Sequence, residues 1–143
     1  MSRNARMSVT TASATATFSA DELIVEDSTG KQYRLSVFGK TINLATTGAG
    51  GMGVGTVPAT GFVALYAIYN PTADTSALLA VDVTSISAPE TYGGTHMPSG
   101  YTASALVSVW GISASKFVTG EQRGRDVSIL DVSAVTTTST TSS

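Results

Sequence analysis

Residues 62–69 read FVALYAIY and are apolar throughout, the clearest of several β-prone runs in the chain. A short run with no polar face predicts a strand buried on both sides. Residues 7–18 set Thr11, Thr15 and Thr17 against Ala12, Ala14 and Ala16, a period of two that predicts another strand. Residues 23–25 form a short strand closed by the turn sequence of residues 27–30. The chain then returns over 32–38, with Tyr33, Leu35 and Val37 predicted on one face of a hairpin. Further strands are expected at 41–44, 77–83, 103–112, 116–119 and 122–130. Between them lie a glycine-rich loop at 45–61, a turn at Asn70-Pro71-Thr72, and a long loop at 85–100. No helical period of three turns is visible. The pattern predicts an all-β fold, an antiparallel β-sandwich of short strands, as a single domain over residues 1–131. Residues 132–143 are a Ser/Thr-rich low-complexity tail.

Composition narrows the function classes. Only 13% of residues are charged and the formal net charge is -2. Average domains carry about 25% charged residues. Such a chain offers no basic footprint for nucleic acid or an anionic membrane. Thr, Ser and Ala make up about two-fifths of the residues. Small uncharged residues at that density suit surfaces packed against other chains. With no cysteine, disulfides and thiolate metal sites are excluded. No apolar run is long enough to span a membrane as a helix, and the first residues lack the apolar core of a signal peptide.

Chemistry-bearing patterns are sparse. Gly48, Gly50 and Gly53 match the dinucleotide spacing, but a strand-like sequence follows where a phosphate-binding helix is needed. His96 is the sole histidine. A metal site is therefore not expected, unless three copies of His96 meet on a symmetry axis. Asp74, Asp82, Glu90 and Glu121 share no motif that would pair two carboxylates for glycan cleavage, and no nucleophile elbow is present. No catalytic residue and no cofactor is expected. Arg123 and Arg125 fall on one face of a strand and suit either an anionic glycan or local carboxylates. Tyr66, Tyr69 and Trp110 read as core aromatics. Tyr92, Thr95, His96 and Tyr101, in or next to the 85–100 loop, are the candidate receptor contacts.

Three segments in order carry a family likeness. They are the run from Asp21 to Glu26, the run from Thr41 through Met52 to the Tyr66–Pro71 strand, and the run from Met97 through Val109 to Gln122–Arg125. Together they resemble the C-terminal, distal domain of phage tail fibres and related receptor-binding tail proteins. The likeness spans roughly residues 8–130. It implies a homotrimer in the virion tail, made in the host cytoplasm, that contacts other tail proteins. It also implies recognition of a bacterial surface glycan, lipopolysaccharide or capsule, for host adsorption, with no membrane insertion. The alternatives are a purely structural tail component and a capsule depolymerase.

Overall fold

The computed structural model describes residues 2–3, 5–9, 11–53, 57–84, 92, 97–123 and 126–129. Among them the chain forms ten strands and no helix. These are β1 (Ser2–Arg3), β2 (Arg6–Val9), β3 (Thr15–Asp27), β4 (Gln32–Asn43) and β5 (Thr60–Asn70). They continue as β6 (Thr75–Asp82), β7 (Ala103–Ser113), β8 (Lys116–Phe117), β9 (Gly120–Arg123) and β10 (Asp126–Ile129). All join one antiparallel sheet, in the order β10-β9-β2-β3-β7-β5-β6, with β1 and β4 also on β3 and β8 on β7. The expected division into two sheets is not seen among the described strands. Instead the one sheet curls. β4 occupies one edge of β3 along its length, while β2, β1 and β7 succeed one another along the other. The β7 contact is confined to Glu26↔Ser104 and Asp27↔Ala103. Beyond that corner the sheet folds over and brings β4 near β6.

The core inside the curl includes Phe18, Leu23, Val25, Ile42, Leu65, Leu78, Trp110 and Phe117. Trp110 is wholly buried; its ring meets Phe117 edge-on, and its Nε1 donates to the Val118 carbonyl at 2.9 Å. Aromatic rings with such a satisfied polar handle lock the register of the elements around them.

β5 shows why its sequence lacks a polar face. Val63, Leu65 and Ala67 enter the main core, while Ala64, Tyr66 and Ile68 form a second cluster with Leu79 and Val83. Tyr92, Met97, Tyr101 and Leu106 pack against that second cluster. Both faces of β5 are thus covered within one chain. Each large aliphatic side chain so buried contributes about 1.5–3 kcal/mol. In β7 the core face switches from Ala103, Ala105 and Val107 to Trp110 and Ile112. The cause is a bulge: Leu65 pairs with Ser108 and Tyr66 with Leu106, so Val107 is the extra residue.

Several expected boundaries change. The expected strand at 7–18 is interrupted, ending at Val9 and restarting at Thr15. Its second half runs on through the separately expected 23–25 strand. Likewise 32–38 and 41–44 merge into β4. The sequence misleads here because both strands change faces midway. Buried positions run Ala16, Phe18, Ala20 and then Leu23, Val25 along β3. Along β4, Tyr33 and Leu35 pack on the core and then Phe38 and Ile42 do. Pairing stays in step across the switch, from Glu22↔Ser36 to Ala20↔Phe38, so one hairpin continues through it. Val37 sits at the kink with φ 52° and is 87% exposed. It therefore does not share the face of Tyr33 and Leu35. The expected last strand also divides, into β9 and β10 paired as a hairpin.

The glycine-rich segment lies along the outer edge of β6. Gly50 N donates to Leu78 O, Gly53 N to Ala80 O, and Ala80 N to Gly51 O, at 2.7–2.8 Å. That pairing satisfies groups an open edge would expose, and it seats Met52 in the core. At Gly51 a Cβ would stand 2.4 Å from the Thr46 carbonyl oxygen, a contact only glycine avoids. The chain proceeds to β5 rather than to a helix, so the phosphate-cradle geometry is missing.

Candidate functional site

Three connections meet at one end of the curl: the β3–β4 turn, the β5–β6 turn, and residues 97–102 leading into β7. The pairings Asp27↔Ala103 and Tyr69↔Ala103 hold them together, as does the Thr102 N to Tyr69 O bond of 3.0 Å. Each turn is built locally. In the first, Asp27 Oδ1 accepts from Thr29 N, Thr29 Oγ1 and Lys31 N at 2.7–3.0 Å. The Thr29 hydroxyl bond is the main reason the Asp27 carboxyl titrates below the usual carboxylate range. In the second, Asn70 Oδ1 accepts from Thr72 N and Ala73 N, both at 3.1 Å. In the third, Gly100 has φ +86°, and a Cβ there would come within 2.5 Å of Asn70 Nδ2.

These turns assemble a row of aromatic and polar groups. Lys31 Nζ lies 5.2 Å from the centre of the Tyr33 ring, within cation–π range. The Tyr33 and Tyr69 rings are tilted with centroids 5.2 Å apart. The Tyr69 hydroxyl donates to Asp74 Oδ1 at 2.8 Å, and this bond raises the Tyr69 pKa. On the opposite face of the sheet, Thr75 Oγ1 donates to the Tyr101 hydroxyl at 3.3 Å. Both tyrosine rings of the pair are half-buried, so each is fixed yet accessible at its rim.

Beside the row, β4 and the start of β6 frame a cleft of ≈ 290 Å³. Arg34, Ser36, Val37, Lys40, Tyr69 and Asp74 are among its lining residues. Arg34 is steered by Glu22, which accepts from its Nε, and by Ser36 Oγ, 3.0 Å from its terminal nitrogen. The volume falls just below the range of small-molecule pockets, about 300–1,000 Å³. Donors and acceptors line it, with Tyr69 the half-buried aromatic among them. That arrangement can bind a polyhydroxylated ligand, with hydroxyls on the carboxylate and cations and the Tyr33–Tyr69 pair to one side. No group of His, Cys, Asp or Glu suited to a metal ion is present among the described residues.

The expected receptor residues divide. Tyr101 lies on the other face of β5 from the Tyr33–Tyr69 pair and does not line the cleft. Tyr92 packs edge-on to Tyr66, centroids 5.7 Å apart, and its backbone N donates to Ser104 Oγ at 2.8 Å. Tyr92 and Tyr101 thus share the second apolar cluster, where both are half-buried. Thr95 and His96 lie outside the described residues, as do Arg125 and the 132–143 tail. Arg123 pairs through its backbone with Asp126 and Arg6. Asp82 closes a local turn by accepting from Thr84 N at 2.9 Å. Tyr69 packs against the main core as its apolar run implies, but sequence reasoning missed its pairing with Tyr33, because a tyrosine ending such a run reads as core alone. The usable signal was Asn70-Pro71 directly after Tyr69, which places that ring at a strand end beside a turn.

No helix among the described residues is long and apolar enough to cross a membrane. Comparison with protein-family models, with curated proteins and with solved structures found no match to the chain.

Proposed function

We propose that this chain is the receptor-binding domain of a phage tail fibre and holds a bacterial surface glycan during host adsorption. The observation that carries this reading is the Tyr33–Tyr69 pair, anchored by Asp74, beside a cleft lined with donors and acceptors. Saccharide recognition calls for that combination of aromatic surface and fixed polar groups. The family likeness of the sequence adds the biological setting, the virion tail. Adsorption is binding without bond cleavage, so the site holds its ligand by complementarity alone.

A homotrimer is part of the same proposal. It draws support from the low charge of the chain. It also draws on Phe62 and Val109, which remain 52% and 39% exposed near one end of the second apolar face. The test is a glycan array of lipopolysaccharide and capsule fragments probed with the full chain. Binding to a bacterial glycan is expected, with loss in Asp74→Ala, which frees the Tyr69 hydroxyl. Release of reducing ends from a polysaccharide would replace this reading with a depolymerase. Failure to bind any bacterial glycan would leave a structural tail component.

A further inference from the structure

One wall of the cleft is a strand edge. Residues 34–40 of β4 line it without a gap, and β4 pairs with β3 along one edge only. In an antiparallel pair every second residue turns its N–H and C=O away from the partner. Among the described residues, no backbone hydrogen bond is made on that outer side by residues 34–41. Opposite stands Ser76, on a stretch of β6 whose outer edge is paired with the glycine segment only from Leu78 onward. An open edge of this length is a template for another strand. The glycine segment shows what fits between the two edges. Gly50 N donates to Leu78 O of β6 at 2.7 Å, and Gly50 O accepts from Asn43 N of β4 at 2.8 Å. A single backbone therefore bridges β4 and β6 just beyond the cleft. The chain of antiparallel pairings from β4 through β3, β7 and β5 to β6 gives β4 and β6 the same sense, so one strand can oppose both.

We propose that residues 130–143 of the same chain dock as an added strand on the outer edge of β4 and cover the cleft. Their composition fits that role. Seven of these fourteen residues are Val or Thr, none is Gly or Pro, and Asp131 is the only charged one. Such a segment favours a strand but holds too little apolar surface to form a core of its own. Its reach fits as well. The segment follows β10, which β9, β2 and β3 separate from β4. Four strand spacings amount to about 19 Å, and fourteen extended residues span about 46 Å. About eight residues remain to lie along β4. The tether holds the segment at a millimolar effective concentration, so a weak intrinsic affinity suffices. The inference goes beyond the glycan-binding reading: strand and glycan exclude one another in the cleft, so the tail gates access to it.

The test is amide hydrogen exchange on the full chain and on the double variant Val135→Pro, Thr138→Pro, whose prolines cannot join a ladder in either register. In the wild type the outward-facing amides of residues 34–40 should be protected. In the variant they should exchange about tenfold faster, as expected for a strand of sub-millimolar affinity at a millimolar effective concentration. Exchange in β5 and at the Trp110 indole should stay unchanged. Equal exchange on β4 in both proteins would overturn the assignment. So would faster exchange that spreads to β5 and Trp110, which would make the tail part of the fold. Protection that rises with protein concentration would give the strand to a second copy instead. A glycan found on the array should bind the variant tighter by the same factor as the protection lost, and unchanged affinity would overturn the gating. Absence of any glycan on the array would overturn only the parent reading, because exchange reads the strand directly.

Discussion

Asp27 gathers three donors at the tip of β3, and its lowered pKa carries a consequence for acid stability. A carboxyl whose folded pKa is depressed stabilises the fold above its unfolded value, about 3.9. That contribution fades as pH falls through the folded pKa. Asp27→Asn keeps an acceptor oxygen but does not titrate. Urea melts should show the variant less stable at pH 7, with the gap closing below about pH 4. The Tyr69–Asp74 bond has the opposite sense. Its contribution is complete below the unfolded tyrosine value, about 10, and disappears as pH rises through the folded value. Tyr69→Phe should remove that alkaline dependence in the same assay. In the core, Trp110→Phe deletes the donor to the Val118 carbonyl and leaves a cavity. A loss of about 2–3 kcal/mol, read from the denaturant midpoint, is expected.

At the scale of elements, the β7–β8 turn is built from residues that do not favour it. Ala114 and Ser115 have φ of 53° and 63°, where Asn-Gly is preferred. Replacing the pair by Asn-Gly should stabilise the protein by up to about 1 kcal/mol, measured by chemical denaturation. The glycine segment on the edge of β6 allows a sharper comparison. A Cβ at Gly48 meets nothing within 4 Å, so Gly48→Ala should lose only about 1 kcal/mol, from the left-handed φ of +103°. Gly51→Ala drives a methyl into the Thr46 backbone. It should lose about 1–3 kcal/mol and loosen the Met52 plug, visible as faster amide exchange along β6.

For the whole molecule, the assembly state is the open quantity with the clearest measurement. The all-apolar β5 is covered within the chain, by the curl on one face and by residues that include Tyr92, Met97 and Tyr101 on the other. The trimer proposal therefore turns on Phe62, Val109 and the small-residue surface. Light scattering at micromolar concentration should report three times the 14.6 kDa chain mass. A stable monomer there would remove the homotrimer while leaving the cleft and its glycan test untouched.

The sequence by itself determined the all-β character and the hairpin at Asp27–Gly30. It also determined the double burial of β5 and the placement of the glycine segment in a loop ahead of a strand. Each of these depends on local chemistry: a period of two, turn residues, an apolar run, glycine before a strand. Tertiary structure decided what local chemistry cannot carry. The face switch at Val37 broke the period without breaking the pairing, so β3 and β4 each read as two elements. One sheet curling on itself replaced two separate sheets, because strand order depends on contacts between distant residues such as Asp27 and Ala103. Of the candidate contacts, Tyr101 belongs to the second apolar cluster, on the other face of β5 from the cleft. The meeting of Tyr33, Tyr69 and Asp74 was not legible, since they lie in different elements and only the fold stacks the two rings and sets Tyr69 and Asp74 on the cleft.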